Sequence, residues 1–96
     1  MKRQSFALLA ALAVFGVGIA HAKPDEVSEA AVKNCRYLGQ VEGSSGYGKN
    51  FGWQPLAKAD AERKADRIGA THIVWKDFEP VGAFNGEARA KAYACR

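Results

Sequence analysis

Two periodicities organise the C-terminal two thirds of the chain. Between Pro55 and Ile68 the apolar positions Ala57, Ala61, Ala65 and Ile68 recur at spacings of four, four and three. That spacing lays a single stripe along an α-helix. Pro55 suits the first helical turn, Asp60 and Lys64 form an i, i+4 pair on the predicted wet side, and Gly69 suits the left-handed residue just past the end. Between Glu87 and Cys95 the pattern switches to strict alternation. Ala88, Ala90, Ala92 and Ala94 share one face, and Glu87, Arg89, Lys91, Tyr93 and Cys95 share the other. This is the period of a β-strand.

Two further runs read as strands. Cys35–Glu42, "CRYLGQVE", places Tyr37 and Val41 on one side and Leu38 on the other. Gly39 weakens this strand and marks either a bulge or a close approach. Thr71–Phe78, "THIVWKDF", is rich in β-branched and aromatic residues. Glu79–Gly86 contains Pro80, Gly82, Asn85 and Gly86, all turn formers. Lys23–Asn34 is a lead-in, either a short amphipathic turn or a mobile segment.

The order is therefore β-α-β-β. It predicts a small α+β domain with a three-stranded sheet and one covering helix. A strand face made only of Ala admits a helix whose own stripe is Ala at short distance, and larger residues there would overpack. One helix cannot cover both sheet faces. The second face should carry Tyr37, Tyr93 and either Ile73 with Trp75 or Val74 with Phe78. It is covered by the N-terminal segment, by a second copy or by a partner, or it stays wet.

The first residues change the compartment. Lys2 and Arg3 precede an apolar run from Phe6 to Ala20, and Ala20-His21-Ala22 is a small-residue cleavage site. Residues 1–22 thus read as a secretory signal peptide, with 23–34 a lead-in and 35–96 a single domain. The apolar run is too short for a membrane span, and no Cys follows it for lipid attachment. The remaining chain of about 74 residues is one domain with a marginal core. The formal net charge of +4 falls to about +2 without Lys2 and Arg3, and the remaining basic residues are interleaved with acids.

That compartment bears on Cys35 and Cys95. An even cysteine count in a small exported domain indicates a disulfide. It would close a loop of about 60 residues and stabilise by about 4 kcal/mol. It would tie the start of the first strand to the end of the last, as fits if those two strands are antiparallel neighbours. The alternative is a metal- or redox-responsive centre using Cys35, Cys95 and His72, although no C-x-x-C spacing supports it.

The stretch "GSSGYGKN", Gly43–Asn50, imitates a phosphate-binding loop. Four features argue against a nucleotide there. Exported proteins meet little nucleoside triphosphate. Asn50 stands where a magnesium-binding hydroxyl belongs. Residues 51–55 separate the loop from its helix, and Pro55 offers no N–H. The chain is also too short for the usual parallel sheet. Tyr47, Phe51 and Trp53 could stack bases, but no basic groove accompanies them, and nucleic acid is not the expected partner. Hydrolytic chemistry lacks a nucleophile context, and His72 is the one candidate base after the leader.

"CRYLGQVEG", the Ala-rich "AERKADRIGATHIVW" and "GEARAKAYAC" together resemble a family of small bacterial envelope proteins of unknown function, many of them lipoproteins. That family is itself distantly similar to the sensor domain of RcsF, the outer-membrane lipoprotein of an envelope-stress pathway. The resemblance implies an α+β domain, an envelope location, no known enzymatic activity, and a cysteine pair at Cys35 and Cys95; no cofactor is expected. The sensor's lipid-attachment Cys, Pro-rich linker and additional cysteines have no counterparts here. The reading that results is a soluble periplasmic, non-enzymatic interaction protein without a lipid anchor. It would engage an envelope protein or itself through the open sheet face and the Gly43–Trp53 loop, with Tyr37, Tyr47, Phe51, Trp53, Trp75 and Tyr93 as contacts.

Overall fold

A computed structural model describes residues 23–96, and the signal-peptide reading of residues 1–22 lies outside the described residues. The elements are β1 (Asp25–Glu26), a 3-10 turn (Glu29–Val32), β2 (Arg36–Ser44), α1 (Trp53–Arg67), β3 (His72–Val81) and β4 (Asn85–Ala94). The fold is α+β, and the expected β-α-β-β order is present as β2-α1-β3-β4. The sheet, however, has four strands in the order β1-β3-β4-β2. β1 runs parallel to β3, and β4 pairs antiparallel with both β3 and β2. The missed strand is two residues long, too short for any alternation to be visible.

From β1 the chain passes to the opposite edge of the sheet, where β2 lies. The connecting 3-10 turn packs Val32 against Val74 and Tyr93, with Val27, Cys35 and Cys95 around them. The lead-in is therefore an ordered strap over one end of the second face. Cys35 and Cys95 form a disulfide with 4.7 Å between their Cα atoms. The pairing of Arg36 with Ala94 at the adjacent rung makes this reach possible.

The helix starts at Trp53, two residues before the predicted start. Pro55 is still in the first turn, where backbone N–H groups have no intrahelical partner, so its missing donor costs nothing. The C-terminus closes as a Schellman motif. The Ala70 amide donates to Ala65 O and the Gly69 amide to Asp66 O, both at 3.0 Å. Gly69 has φ +87°, as its place past the helix end demands. Ile68 falls outside the helix and is exposed, because the chain has already turned away there. It does not complete the apolar stripe.

Ala57, Ala61 and Ala65 on α1 and Ala88, Ala90 and Ala92 on β4 are all fully buried. Ala94 is only half-buried, beyond the helix. The approach is closest at β2, where a Cβ on Gly43 would collide with the Ala57 carbonyl oxygen and the Ala61 amide. Ile73, Val41 and the half-buried Leu38 and Trp75 complete this core.

Two bulges redistribute the side chains. In β2 the register shifts between Tyr37 and Gly39, so Tyr37 faces Tyr93 while Gly39 faces Ala92. Tyr37 and Val41 consequently lie on opposite faces, not together. In β3 the register shifts between Trp75 and Asp77. Ile73 and Trp75 stand beside Ala92 and Ala90, and Phe78 beside Ala88, so all three lie on the helix side. Of the four residues weighed for the second face, only Val74 is there. A single inserted residue reverses the parity of everything beyond it.

Two stability effects follow. Gly43→Ala should lower the stability by at least about 2 kcal/mol, because the helix must retreat from the sheet. Urea unfolding read at Trp53 and Trp75 would measure this. Cys35→Ala with Cys95→Ala should cost about 4 kcal/mol through the reopened loop, read as a lower midpoint in the same assay.

Candidate functional site

The six aromatic candidates separate into three places. The Tyr37 and Tyr93 rings meet at a tilt of 58°, 5.4 Å apart, beside the disulfide. Tyr37 is 55% exposed, whereas Tyr93 is buried. The Tyr93 hydroxyl donates to Glu29 at 3.4 Å, and burial, followed by the Glu29 charge, pushes its pKa up. Trp53 belongs to the helix rather than the loop, and its indole occupies the space a side chain at Gly86 would need. Trp75 is half-buried on the helix side against Phe78, 5.3 Å away. Both tryptophans are half-buried.

Tyr47 and Phe51 are exposed, at 99% and 79%. The loop that carries them is tied to the β3–β4 hairpin. The Asn50 amide donates to Phe84 O at 3.1 Å, and the Ser45 amide to Gly86 O at 3.0 Å. The Asn50 side chain donates to Tyr47 O and to Asn85 Oδ1, and the Asn85 side chain donates to Gly48 O at 2.8 Å. Phe51 meets Phe84 edge-on at 4.9 Å, and the Lys49 ammonium lies 5.8 Å from the Phe84 ring. Gly46 and Gly48 have positive φ, which lets the loop double back. The result is an aromatic tip at one end of the sheet. Phe84 and the pairing of Asn50 with Asn85 were not legible in the sequence, because the loop and the hairpin meet only in the folded chain.

The same contacts weigh against an anion cradle. The amides of Ser45, Gly46 and Asn50 are already engaged. Asp60 adds a carboxylate at this end, accepting from the Ser44 amide at 2.9 Å. Burial pushes Asp60 up, but the Ser44 amide and Lys64 outweigh it and hold the carboxyl below its usual range. Lys64 also donates to Glu42 O at 2.8 Å. The expected i, i+4 pair is formed, at 3.3 Å, and it also caps the free edge of β2, a device that discourages edge-to-edge pairing.

Beyond Tyr93, the second sheet face is charged rather than aromatic. Arg89 contacts Glu42 at 2.7 Å, Asp77 at 2.9 Å, Glu79 at 3.0 Å and Glu87 at 3.2 Å. Asp77 first, then Glu42 and Glu79, push the Arg89 pKa above its already high value. One guanidinium thus holds four carboxylates on three strands. This hub is invisible in sequence because its members converge only through strand register.

A third feature lies between β1, α1 and β3. A groove of about 400 Å³ there is lined by Lys23, Glu26, Lys58, Glu62 and Phe78, among others. Glu62 is a buried carboxyl, 6% exposed. The alternative Cys35, Cys95 and His72 centre is not assembled: both sulfurs are in the disulfide. Among the described residues no three His, Cys, Asp or Glu side chains converge as metal ligands. No described helix is long and apolar enough to cross a membrane.

No family model matches the chain, and no curated protein matches it significantly. Among solved structures it is similar to a secreted protein of Salmonella typhimurium LT2, determined by NMR in solution. The TM-score is 0.51 at 17% identity, over 88% of this chain and 78% of that one. This is a likeness of fold.

Arg89→Gln should lower the urea midpoint at neutral pH, because four carboxylates would then face one another without their cation. The deficit relative to the unaltered protein should shrink as acid neutralises them. Unfolding curves across the acid range would show the two midpoints converging.

Proposed function

We propose that this chain is an exported, non-enzymatic interaction domain of the bacterial envelope, working in the periplasm and binding another protein through its aromatic tip. The observation that carries the reading is the exposure of Tyr47 and Phe51 on a loop anchored by Asn50 and Asn85. Exposed rings on a restrained loop bind with little ordering cost, and Tyr and Phe are enriched at the cores of protein interfaces. The compartment rests on the leader-like N-terminus, on a disulfide of the kind that persists outside the reducing cytosol, and on the fold likeness to a secreted protein. A role in envelope stress rests on the resemblance to the RcsF domain alone.

This reading moves the expected contact surface. The open sheet face is largely an Arg89-centred charge network, so the partner site is the loop end, with Tyr37 a separate exposed ring beside the disulfide.

The test is crosslinking in intact envelopes followed by mass spectrometry, comparing the unaltered chain with Tyr47→Ser/Phe51→Ser. The double variant should keep its disulfide and far-ultraviolet circular dichroism. It should lose its partner, or bind it at least about 30-fold more weakly, the effect of removing one interface hot spot. Equal recovery of the same partner by both proteins would refute the tip as the contact.

A further inference from the structure

Beside the aromatic tip, β3 and β4 set two carboxylates directly opposite each other. Glu79 pairs with Glu87, and Ser44, the last residue of β2, pairs with Glu87 on its other side. Like charges in that position destabilise a sheet. Asp77 and Glu42 flank Arg89 in the next row. Arg89 contacts all four carboxylates, but one guanidinium among four leaves three formal negative charges uncompensated. Their side chains are between 36% and 61% exposed. Two other cations of this face are engaged elsewhere, Lys76 by Gln40 at 3.3 Å and Lys91 by Glu29 at 3.5 Å. Folding by itself does not call for this excess of charge.

Between the carboxylates and the tip lies a hollow of about 270 Å³, with Tyr47, Val81, Asn85 and Glu87 among its walls. Val81 is 51% exposed, so the hollow opens beside an uncovered aliphatic side chain. It is smaller than the roughly 300–1,000 Å³ of a small-molecule site and suits a single apolar side chain. The amides of Ser45, Gly46 and Asn50, which could receive an anion, are taken up within the fold. Lys49, the cation of the loop, lies 5.8 Å from the Phe84 ring. An apolar seat therefore adjoins a face that is short of positive charge.

We infer that the aromatic tip and the face carrying Glu42, Asp77, Glu79 and Glu87 form one continuous docking surface, and that its occupant is a cationic segment of a partner protein. An apolar side chain of that segment enters the hollow between Tyr47 and Val81. Flanking Lys or Arg side chains meet the carboxylates. This rests on the tip being the contact and assigns the charge of what it meets. Exposed carboxylates contribute little affinity one by one. Together they steer a cation toward the tip, and salt screens them. The same field repels nucleic acid and anionic lipid.

The experiment is an NMR titration of the isotope-labelled full chain at low ionic strength. The peptide Lys-Lys-Leu-Phe-Lys-Lys should shift the Tyr47, Val81 and Glu79 amides together. Glu-Glu-Leu-Phe-Glu-Glu, with the same apolar centre, should bind at least about tenfold more weakly. Glu79→Gln with Glu87→Gln should keep the disulfide and weaken the cationic peptide roughly fivefold, the worth of two exposed ion pairs. Phosphatidylglycerol vesicles should leave the Tyr47 amide unchanged. Equal affinity for the two peptides would overturn the cationic occupant and leave the tip as a contact. Failure of the cationic peptide to bind, an unaltered affinity in the double variant, or attachment of the vesicles through Tyr47 would also overturn it. The tip itself stands or falls on the crosslinking comparison with Tyr47→Ser/Phe51→Ser, so the two failures are told apart.

Discussion

The near-contact of α1 with β2 and β4 is the constraint on which everything else rests. Ala57, Ala61 and Ala65 meet Ala88, Ala90 and Ala92, and Gly43 lies directly under the helix backbone. Such packing is dense, but it buries few carbons per residue, so it supplies less hydrophobic free energy than a core of Leu and Phe would. Ile73 is the largest side chain that is fully buried. A domain built this way needs other fastenings. The disulfide, the strap over Val74 and Tyr93, and the Arg89 hub each tie strands that the core alone holds weakly.

Close approach also decides what the helix leaves uncovered. α1 lies over β2 and β4 and scarcely reaches β3. Trp75 and Phe78 therefore stand at its margin, covered from above by Lys58 and from the side by Glu26. The groove lined by Glu26 and Glu62 lies there for the same reason: it remains where an Ala-lined helix meets a strand carrying large rings. The aromatic tip has a related origin. Trp53 fills the space above Gly86 and seats the start of the helix on the hairpin, so the loop must double back and turn Tyr47 and Phe51 outward.

The chemistry of the two faces is set by the bulges. If β2 alternated regularly through Leu38, Tyr37 would join Val41 under the helix. If β3 alternated regularly through Lys76, Phe78 would leave the side of Ile73 and Trp75. Gly39 was legible as a possible irregularity. Lys76 carried no sign at all, since a bulge between Trp75 and Asp77 satisfies hydrogen bonding across strands that a local reading cannot pair. Tyr37 and Tyr93 lie on the second face as expected, whereas Trp75 and Phe78, weighed for it, lie on the helix side for this reason. The same dependence on register hid Arg89, whose four partners come from three strands.

The sequence by itself determined the elements that repeat. The alanine stripe at helical spacing, the strict alternation after Glu87, Gly69 past the helix end and the cysteines at the two strand ends all follow from local periodicity and turn chemistry. Tertiary structure decided what depends on register and on residues distant in the chain: the two-residue strand β1, the parity of each face, the edge cap by Asp60 and Lys64, and the groove that Glu26 and Glu62 line. Local patterns state which way a side chain points relative to its neighbours. Only the pairing of strands and the seat of the helix state what it points at.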